Sequence, residues 1–242
     1  MQNGKVTYGV QGRQDYAFGA LLDEDLFAIG ADVDRALGHI VQDGEGRIKP
    51  DELPDLPLVD YEFLQAHFCI ANFGDQISRN LTCSDCQKSF AVSFSLKAFV
   101  KAFLDEMTIE TSYAFEGATF RLPTRAAIER LQNQDTGFVE VLCDDPCDPT
   151  AFEAHLAAVC PVFAEDIKAD CPRCGTAHSY AFNLRQHLTD KLQTRLRNIV
   201  AEIHILAVRY HWTAKDILAL SRVSRRALIE TIQRQSQQAS AR

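Results

Sequence analysis

Thr82–Phe90 reads TCSDCQKSF, and its two cysteines, Cys83 and Cys86, are separated by two residues. A pair at that spacing can be a redox couple, half of a metal site or a coincidence. The partners that decide between these lie elsewhere in the chain. Asp170–Phe182, DCPRCGTAHSYAF, carries the second such pair, Cys171 and Cys174. Each pair leads into a short alternating run, FAVSFSL at Phe90–Leu96 and HSYAFNL at His178–Leu184. Alternation of apolar and polar residues predicts strands. A turn bearing two thiolates and opening into a strand is a zinc knuckle. Two knuckles supply four sulfurs, which fill the tetrahedral shell of zinc and leave no position for water or substrate. The predicted site is therefore structural, with Cys83, Cys86, Cys171 and Cys174 as ligands. Two reduced thiol pairs that merely pack, or a redox pair, are the alternatives.

The 84 residues between Cys86 and Cys171 far exceed the gap in a simple zinc ribbon. The fold must bring the knuckles together around an inserted segment. A shift of 88 residues places Cys83 on Cys171, Cys86 on Cys174, Phe94 on Phe182 and Leu96 on Leu184, and sets QAHF (Gln65–Phe68) on EAHL (Glu153–Leu156). Each half then reads as helix, loop, knuckle, strand, in a tandem duplication whose two copies share one metal. Chance similarity is the competing account.

The 242 residues, 46% of them hydrophobic, suffice for one large domain or two small ones. No run of 18 apolar residues occurs, and MQNGKVTYGV (Met1–Val10) lacks the basic-then-apolar pattern of a signal peptide. The sequence thus predicts no membrane span and a chain folded in a cytoplasm, where eight cysteines serve as thiols or metal ligands rather than disulfides. Arg185–Arg242 holds 11 basic and 4 acidic residues, a net +7, while the rest of the chain carries −15 of the total −8. An acidic body with a basic tail points to a partner of mixed charge, or to docking of one part of the chain on the other.

Cys69 and Cys160 lie in apolar helical contexts and read as buried and inert. Cys143 and Cys147, in CDDPCDP, read as a turn with incidental thiols; a second metal site there would need two more ligands, with His155 the nearest. Val33, Leu37 and Ile40 share one helical face, and DELPDLPLVD (Asp51–Asp60) reads as a linker before a helix starting near Asp60. YAFEGATFRLPT (Tyr113–Thr124) predicts a hairpin turning near Gly117, with Thr124 capping the helix RAAIERLQ. Leu188, Leu192, Leu196, Ile199, Ile203, Leu206 and Tyr210 form one apolar stripe of about six turns. Beyond it, Thr213 and Asp216 make a capping box and Trp212 and Ile217 a hydrophobic staple; a short helix and a second one follow, with Ser221 between them as the cap. Arg222, Arg225 and Arg226 in this helix–turn–helix invite a DNA-binding reading, but the turn has no glycine and the chain is acidic overall. A helical hairpin packed on the long helix, or protein docking by the arginines, fits better.

Five stretches occur in order: FGDQISRNLTCSDC (Phe73–Cys86), FRLPT (Phe120–Thr124), FVEVLCDD (Phe138–Asp145), DCPRCG (Asp170–Gly175) and EIHILAVRYHWTAKDILALSRVSRRALIETI (Glu202–Ile232). Together they resemble the baseplate protein family of contractile bacteriophage tails and related contractile injection systems, over roughly Leu58–Gln233. The resemblance implies a virion or particle component without catalytic activity. It implies other baseplate and tail proteins (hub, wedge or tube-initiation subunits) as partners, no small-molecule substrate, and the tail baseplate as location after assembly in the host cytoplasm. It maps the family's paired cysteines onto Cys83, Cys86, Cys171 and Cys174. Cys69, Cys143, Cys147, Cys160 and the acidic first 57 residues depart from the family pattern.

The sequence thus predicts an α+β chain. Two zinc-knuckle and strand halves are joined around one metal, between helical N- and C-terminal parts. The divisions are an acidic arm with a helix (1–57), a first helix and knuckle (58–100), an inserted strand–helix segment (101–150), a second helix and knuckle (151–184) and a long helix with a helical hairpin (185–242). No catalytic residue and no cofactor besides structural zinc are expected; there is no His-Glu-x-x-His, phosphate loop or nucleophile elbow. The expected role is a structural subunit near the hub or inner wedge. A baseplate assembly chaperone and a zinc-ribbon nucleic-acid binder are the alternatives.

Overall fold

The structure is a computed structural model that describes residues 5–6, 16–42, 51–106, 113–133, 137–160 and 166–240. Ten α-helices and four small antiparallel sheets are described, an α+β arrangement. β1 (Lys5–Val6), β2 (Tyr16–Phe18) and β3 (Val41–Gln42) form a three-stranded sheet in that order. Between β2 and β3 run α1 (Asp23–Ile29) and α2 (Val33–Ile40). Val33, Leu37 and Ile40 are buried on one face of α2, and Asp32 caps it by accepting from the Arg35 amide at 2.9 Å. The first 57 residues are more than an acidic arm. Leu21, Leu26, Val33, Ala36, Leu37 and Leu53 belong to the same core as the rest of the molecule. The expected linker at Asp51–Asp60 holds a 3₁₀ turn, Leu53–Asp55, that buries Leu53, and the next helix begins at Leu58.

That helix, α3 (Leu58–Phe73), is buried on most of its circumference, which marks a central element. It leads to β4 (Gln76–Thr82), which pairs antiparallel with β5 (Ser89–Ser95), and then to α4 (Leu96–Glu106). β6 (Ala114–Phe115) and β7 (Ala118–Thr119) make the expected hairpin, with Glu116 and Gly117 both at positive φ in its turn. The Ala127 amide donates to the Thr124 hydroxyl at 3.1 Å, capping α5 (Arg125–Asn133). α6 (Phe138–Leu142) and α7 (Pro149–Val159) follow, then the hairpin β8 (Asp166–Asp170) and β9 (Ala177–Ala181).

α8 (Leu184–Tyr210) has 27 residues and spans roughly 40 Å at 1.5 Å per residue. Its buried stripe includes Leu188, Leu192, Ile199 and Leu206, and it packs against α1, α2 and α3. His211 closes it in the left-handed conformation. α9 (Ala214–Leu218) starts on the Thr213–Asp216 capping box, and α10 (Arg222–Ser240) is capped by the Ser221 hydroxyl. Both return onto α8, as a hairpin packed on the long helix should. Trp212 stacks on Tyr210 with 4.9 Å between ring centroids and stays 39% exposed, whereas Ile217 is fully buried. No described helix is long and apolar enough to cross a membrane.

One expectation is corrected. The stretch before each knuckle is a strand, β4 or β8, rather than a loop, so each pair of cysteines sits at the tip of a hairpin. QISRNLT and DIKAD are polar and only half-covered, which hides their strand character in the sequence.

Candidate metal centre

The two hairpins follow the 88-residue shift in their hydrogen bonds. β4 and β5 close with Thr82 opposite Ser89; β8 and β9 close with Asp170 opposite Ala177. In the first turn the Cys83 amide donates to the Lys88 carbonyl at 3.0 Å and the Gln87 amide to the Cys83 carbonyl at 3.1 Å. In the second the Cys171 amide donates to the Thr176 carbonyl at 2.8 Å and the Gly175 amide to the Cys171 carbonyl at 2.9 Å. Gln87 and Gly175, one shift apart, both adopt the left-handed conformation, at φ 56° and 75°. This turn folds back tightly enough to aim both thiols of a pair outward from one tip. α4 and α8 begin at Leu96 and Leu184, again one shift apart, and both leucines are buried.

The hairpins meet through equivalent residues. Phe94 and Phe182 pack edge to face at 5.1 Å between centroids, and Phe90 lies 5.5 Å from His178. That contact sets the tips together. The sulfurs of Cys83, Cys86, Cys171 and Cys174 all lie within 4.8 Å of one another. Cys83 Sγ is 3.5 Å from Cys174 Sγ, and Cys86 Sγ is 3.7 Å from Cys171 Sγ. Exchanging the two hairpins exchanges these two distances, so the cluster has an approximate two-fold axis. Four thiolates about 2.3 Å from a tetrahedral metal stand roughly 3.8 Å apart, so the observed separations fit such a centre.

The surroundings fit as well. The Lys88 amide and its counterpart, the Thr176 amide, donate to the sulfurs of Cys86 and Cys174. The Thr176 hydroxyl lies 3.3 Å from Cys174 Sγ and donates to Asp85 at 2.7 Å, tying one tip to the other. Hydrogen bonds from Thr176, then from Cys83, hold the Cys174 thiol down at about 6. The Lys88 amide pulls the Cys86 thiol down too, but burial and its bonds to Cys83, Cys174 and Cys171 outweigh it and push that thiol up to about 12. One thiolate forms readily here; collecting four negative sulfurs requires a cation between them. Cys83 and Cys171 are buried, Cys86 is half-buried and Cys174 is exposed, so the centre lies just under the surface. The four residues could hold one metal ion with a closed shell.

The other thiols behave differently. Cys69 and Cys160 are buried, and burial pushes their thiols up to about 11 and 12. Cys143 Sγ and Cys147 Sγ stand 3.7 Å apart, but no third ligand joins them among the described residues. His155 stacks on Phe115 at 4.8 Å between centroids.

Two ionic clusters were not legible as such. Asp23 of α1 accepts from Arg195 Nε at 2.9 Å, from Arg222 Nη2 at 3.3 Å and from Arg225 Nη2. Arg225 is 2% exposed; its Nε reaches Glu202 at 2.8 Å and its Nη1 the Leu220 carbonyl at 2.8 Å. Two of the three arginines behind the DNA-binding reading are thus paired with Asp23, Arg225 buried and Arg222 at the surface. Asp34 of α2 accepts from Arg125 at 2.8 Å, from Arg185 at 3.0 Å and from the Tyr61 hydroxyl. Burial alone would raise the Asp34 carboxyl; the bonds from Arg185, Tyr61 and Arg125 win and hold it at about 2. The only prior signal was the charge asymmetry between the two ends of the chain. Here the acidic end docks on arginines of the basic end.

Comparison with protein-family models, with curated proteins and with solved structures gives no match to this chain.

Proposed function

We propose that this chain is a structural, non-enzymatic subunit of the baseplate of a contractile phage tail or related injection system. In this reading zinc joins two knuckle halves into one rigid body, near the hub or inner wedge. The observation that carries it is the closed set of four thiols presented by two equivalent hairpins. Thiolate ligands in tetrahedral array suit zinc, which supplies a crosslink and leaves no coordination position for catalysis. The order of FRLPT, the paired cysteines and the Tyr210–His211–Trp212 helix end, which resembles that of baseplate proteins, supplies the biological setting. Hub, wedge or tube-initiation subunits are the proposed partners.

Quantitative mass spectrometry of purified, mature contractile particles from the source cell tests the reading. A fixed stoichiometry matching the baseplate symmetry is expected. Absence from particles whose assembly nevertheless requires the gene would make the chain an assembly chaperone. Intact particles after deletion of the gene would end the baseplate reading altogether.

A further inference from the structure

The turn between α6 and α7 holds two thiols that the metal centre does not use. Cys143 closes α6, and Cys147 stands two residues ahead of Pro149, the first residue of α7. Their sulfurs lie 3.7 Å apart, and both side chains are half-buried against the edge of the core. Cys69 and Cys160, by contrast, are buried, and the other four sulfurs face one another at the hairpin tips. Each member of the pair is held on its own side. The Cys143 amide donates to the Val139 carbonyl at 2.9 Å, Cys143 bridges to Phe120, and the Asp144 amide donates to the Thr119 carbonyl at 2.9 Å. On the other side Asp148 accepts from the Ala151 amide at 2.7 Å and fixes the start of α7. Asp144, Asp145 and Pro146, between these anchors, belong to neither helix nor strand, so the span can tighten without unwinding either helix.

A disulfide bond is about 2.05 Å long, so two sulfurs already in contact have roughly 0.8 Å each to travel. Burial, then the hydrogen bond that Cys143 gives to Cys147 and the charges of Cys147 and Asp144, pushes the Cys143 thiol up to about 11. Cys143 therefore keeps its proton and directs it at Cys147, which leaves Cys147 the better placed of the two to attack as a thiolate. We propose that Cys143 and Cys147 are a redox-sensitive pair that closes into an intramolecular disulfide by exchange with a low-molecular-weight disulfide of the glutathione class. The Cys147 thiolate attacks one sulfur of the oxidant, forms a mixed disulfide and expels one thiolate. The Cys143 thiol then gives up its proton and attacks Cys147 Sγ, expelling the second. The two protein thiols lose two electrons and two protons, and the oxidant leaves as two thiols. Closure ties the start of α7 to the Thr119–Arg121 backbone, beside the edge-to-face contact of Phe152 with Phe120 at 5.3 Å between centroids. In a reducing compartment the pair stays open, and a rise in disulfide oxidants closes it, the usual role of such a bond inside cells. The inference is independent of the metal and of the baseplate reading.

Exposure of the folded full chain to graded ratios of oxidised to reduced glutathione, followed by alkylation in denaturant and peptide mass spectrometry, tests it. As the ratio rises, labelling of Cys143 and Cys147 is expected to fall together and their shared peptide to lose two hydrogens, while Cys69 and Cys160 are still labelled. Excess reduced glutathione should restore both labels. Cys143→Ser cannot close, and it is expected to stop as the glutathione adduct on Cys147 at ratios where the wild type holds the internal bond. Full labelling of both residues at every ratio overturns the inference. So does a bond from either one to another cysteine, a wild-type chain that stops at the adduct, or a Cys147 left unmodified in Cys143→Ser.

Discussion

Two places in this molecule gather side chains from far apart in the chain, and they do so by opposite means. At the hairpin tips the groups are all alike: four thiols that repel one another once ionised. At α1, α8 and α10 the groups are complementary, with Asp23 and Glu202 set among Arg195, Arg222 and Arg225. The second cluster finds its opposite charges within the chain. Were all four ionised, the first would need a cation from outside. One region could therefore tie stability to a metal, and the other ties it to pH and to the order of the N-terminal helices.

The largest effect should come from the first region. Replacing Cys171 with Ser removes a ligand from a closed shell, and apparent binding energies of ~10–16 kcal/mol for structural zinc rival the whole stability of a domain. We expect about one zinc per wild-type chain by elemental analysis, none in the variant, and loss of cooperative unfolding. Cys143→Ser should keep the metal, since its sulfur lies outside the cluster. Equal metal content in the two variants would place the ion elsewhere.

Breaking the second region should cost less. Arg225→Met fills similar space but strands Glu202, and removing one partner of a buried pair costs ~3–5 kcal/mol. Chemical denaturation measures this, and Glu202→Gln in the same chain should recover part of the loss. An Arg225→Met protein as stable as the wild type would mean that the cluster is ornamental.

The Asp34 cluster gives a pH signature. Its folded-state carboxyl sits at about 2 against an ordinary 3.8. The stabilisation is thus present above pH 3.8 and disappears as pH falls from there toward 2. The shift corresponds to on the order of 2 kcal/mol. Asp34→Asn should lose that stability at neutral pH and flatten the acid limb between pH 4 and 2; an unchanged limb would assign acid sensitivity to other carboxylates.

The smallest effect compares the two turns directly. Gln87 takes the left-handed conformation that Gly175 takes without penalty. Gln87→Gly should stabilise by ~0.5–1 kcal/mol, the left-handed cost of a side chain less the added freedom of the unfolded glycine. Gly175→Ala should lose a similar amount. Thermal unfolding of the metal-loaded proteins reads both signs.

These contrasts also explain what the sequence disclosed. Thiol ligands announce themselves by spacing, because a turn must present two sulfurs from one tip; Cys83, Cys86, Cys171 and Cys174 could be paired across the insertion for that reason. The 88-residue shift likewise carried over into matching strand registers. The long stripe of α8 was legible from its period. Ion pairs carry no such grammar. Asp23 lies 172 residues from Arg195 and 202 from Arg225, and nothing local to any of them marks the partner. β4 and β8 escaped because their polar faces meet water, leaving too few apolar residues to show alternation.

With a metal bound, the chain from Cys83 to Cys174 becomes a closed ring. The helices α4, α5, α6 and α7 then hang within a loop whose two feet are fastened to one ion. A single protease cut inside that loop would open the backbone, and the ion would still link Cys83 and Cys86 of one piece to Cys171 and Cys174 of the other, beside the apolar core that the two pieces share. Each fragment would carry two of the four thiols of the cluster, half of a lock that neither can close alone.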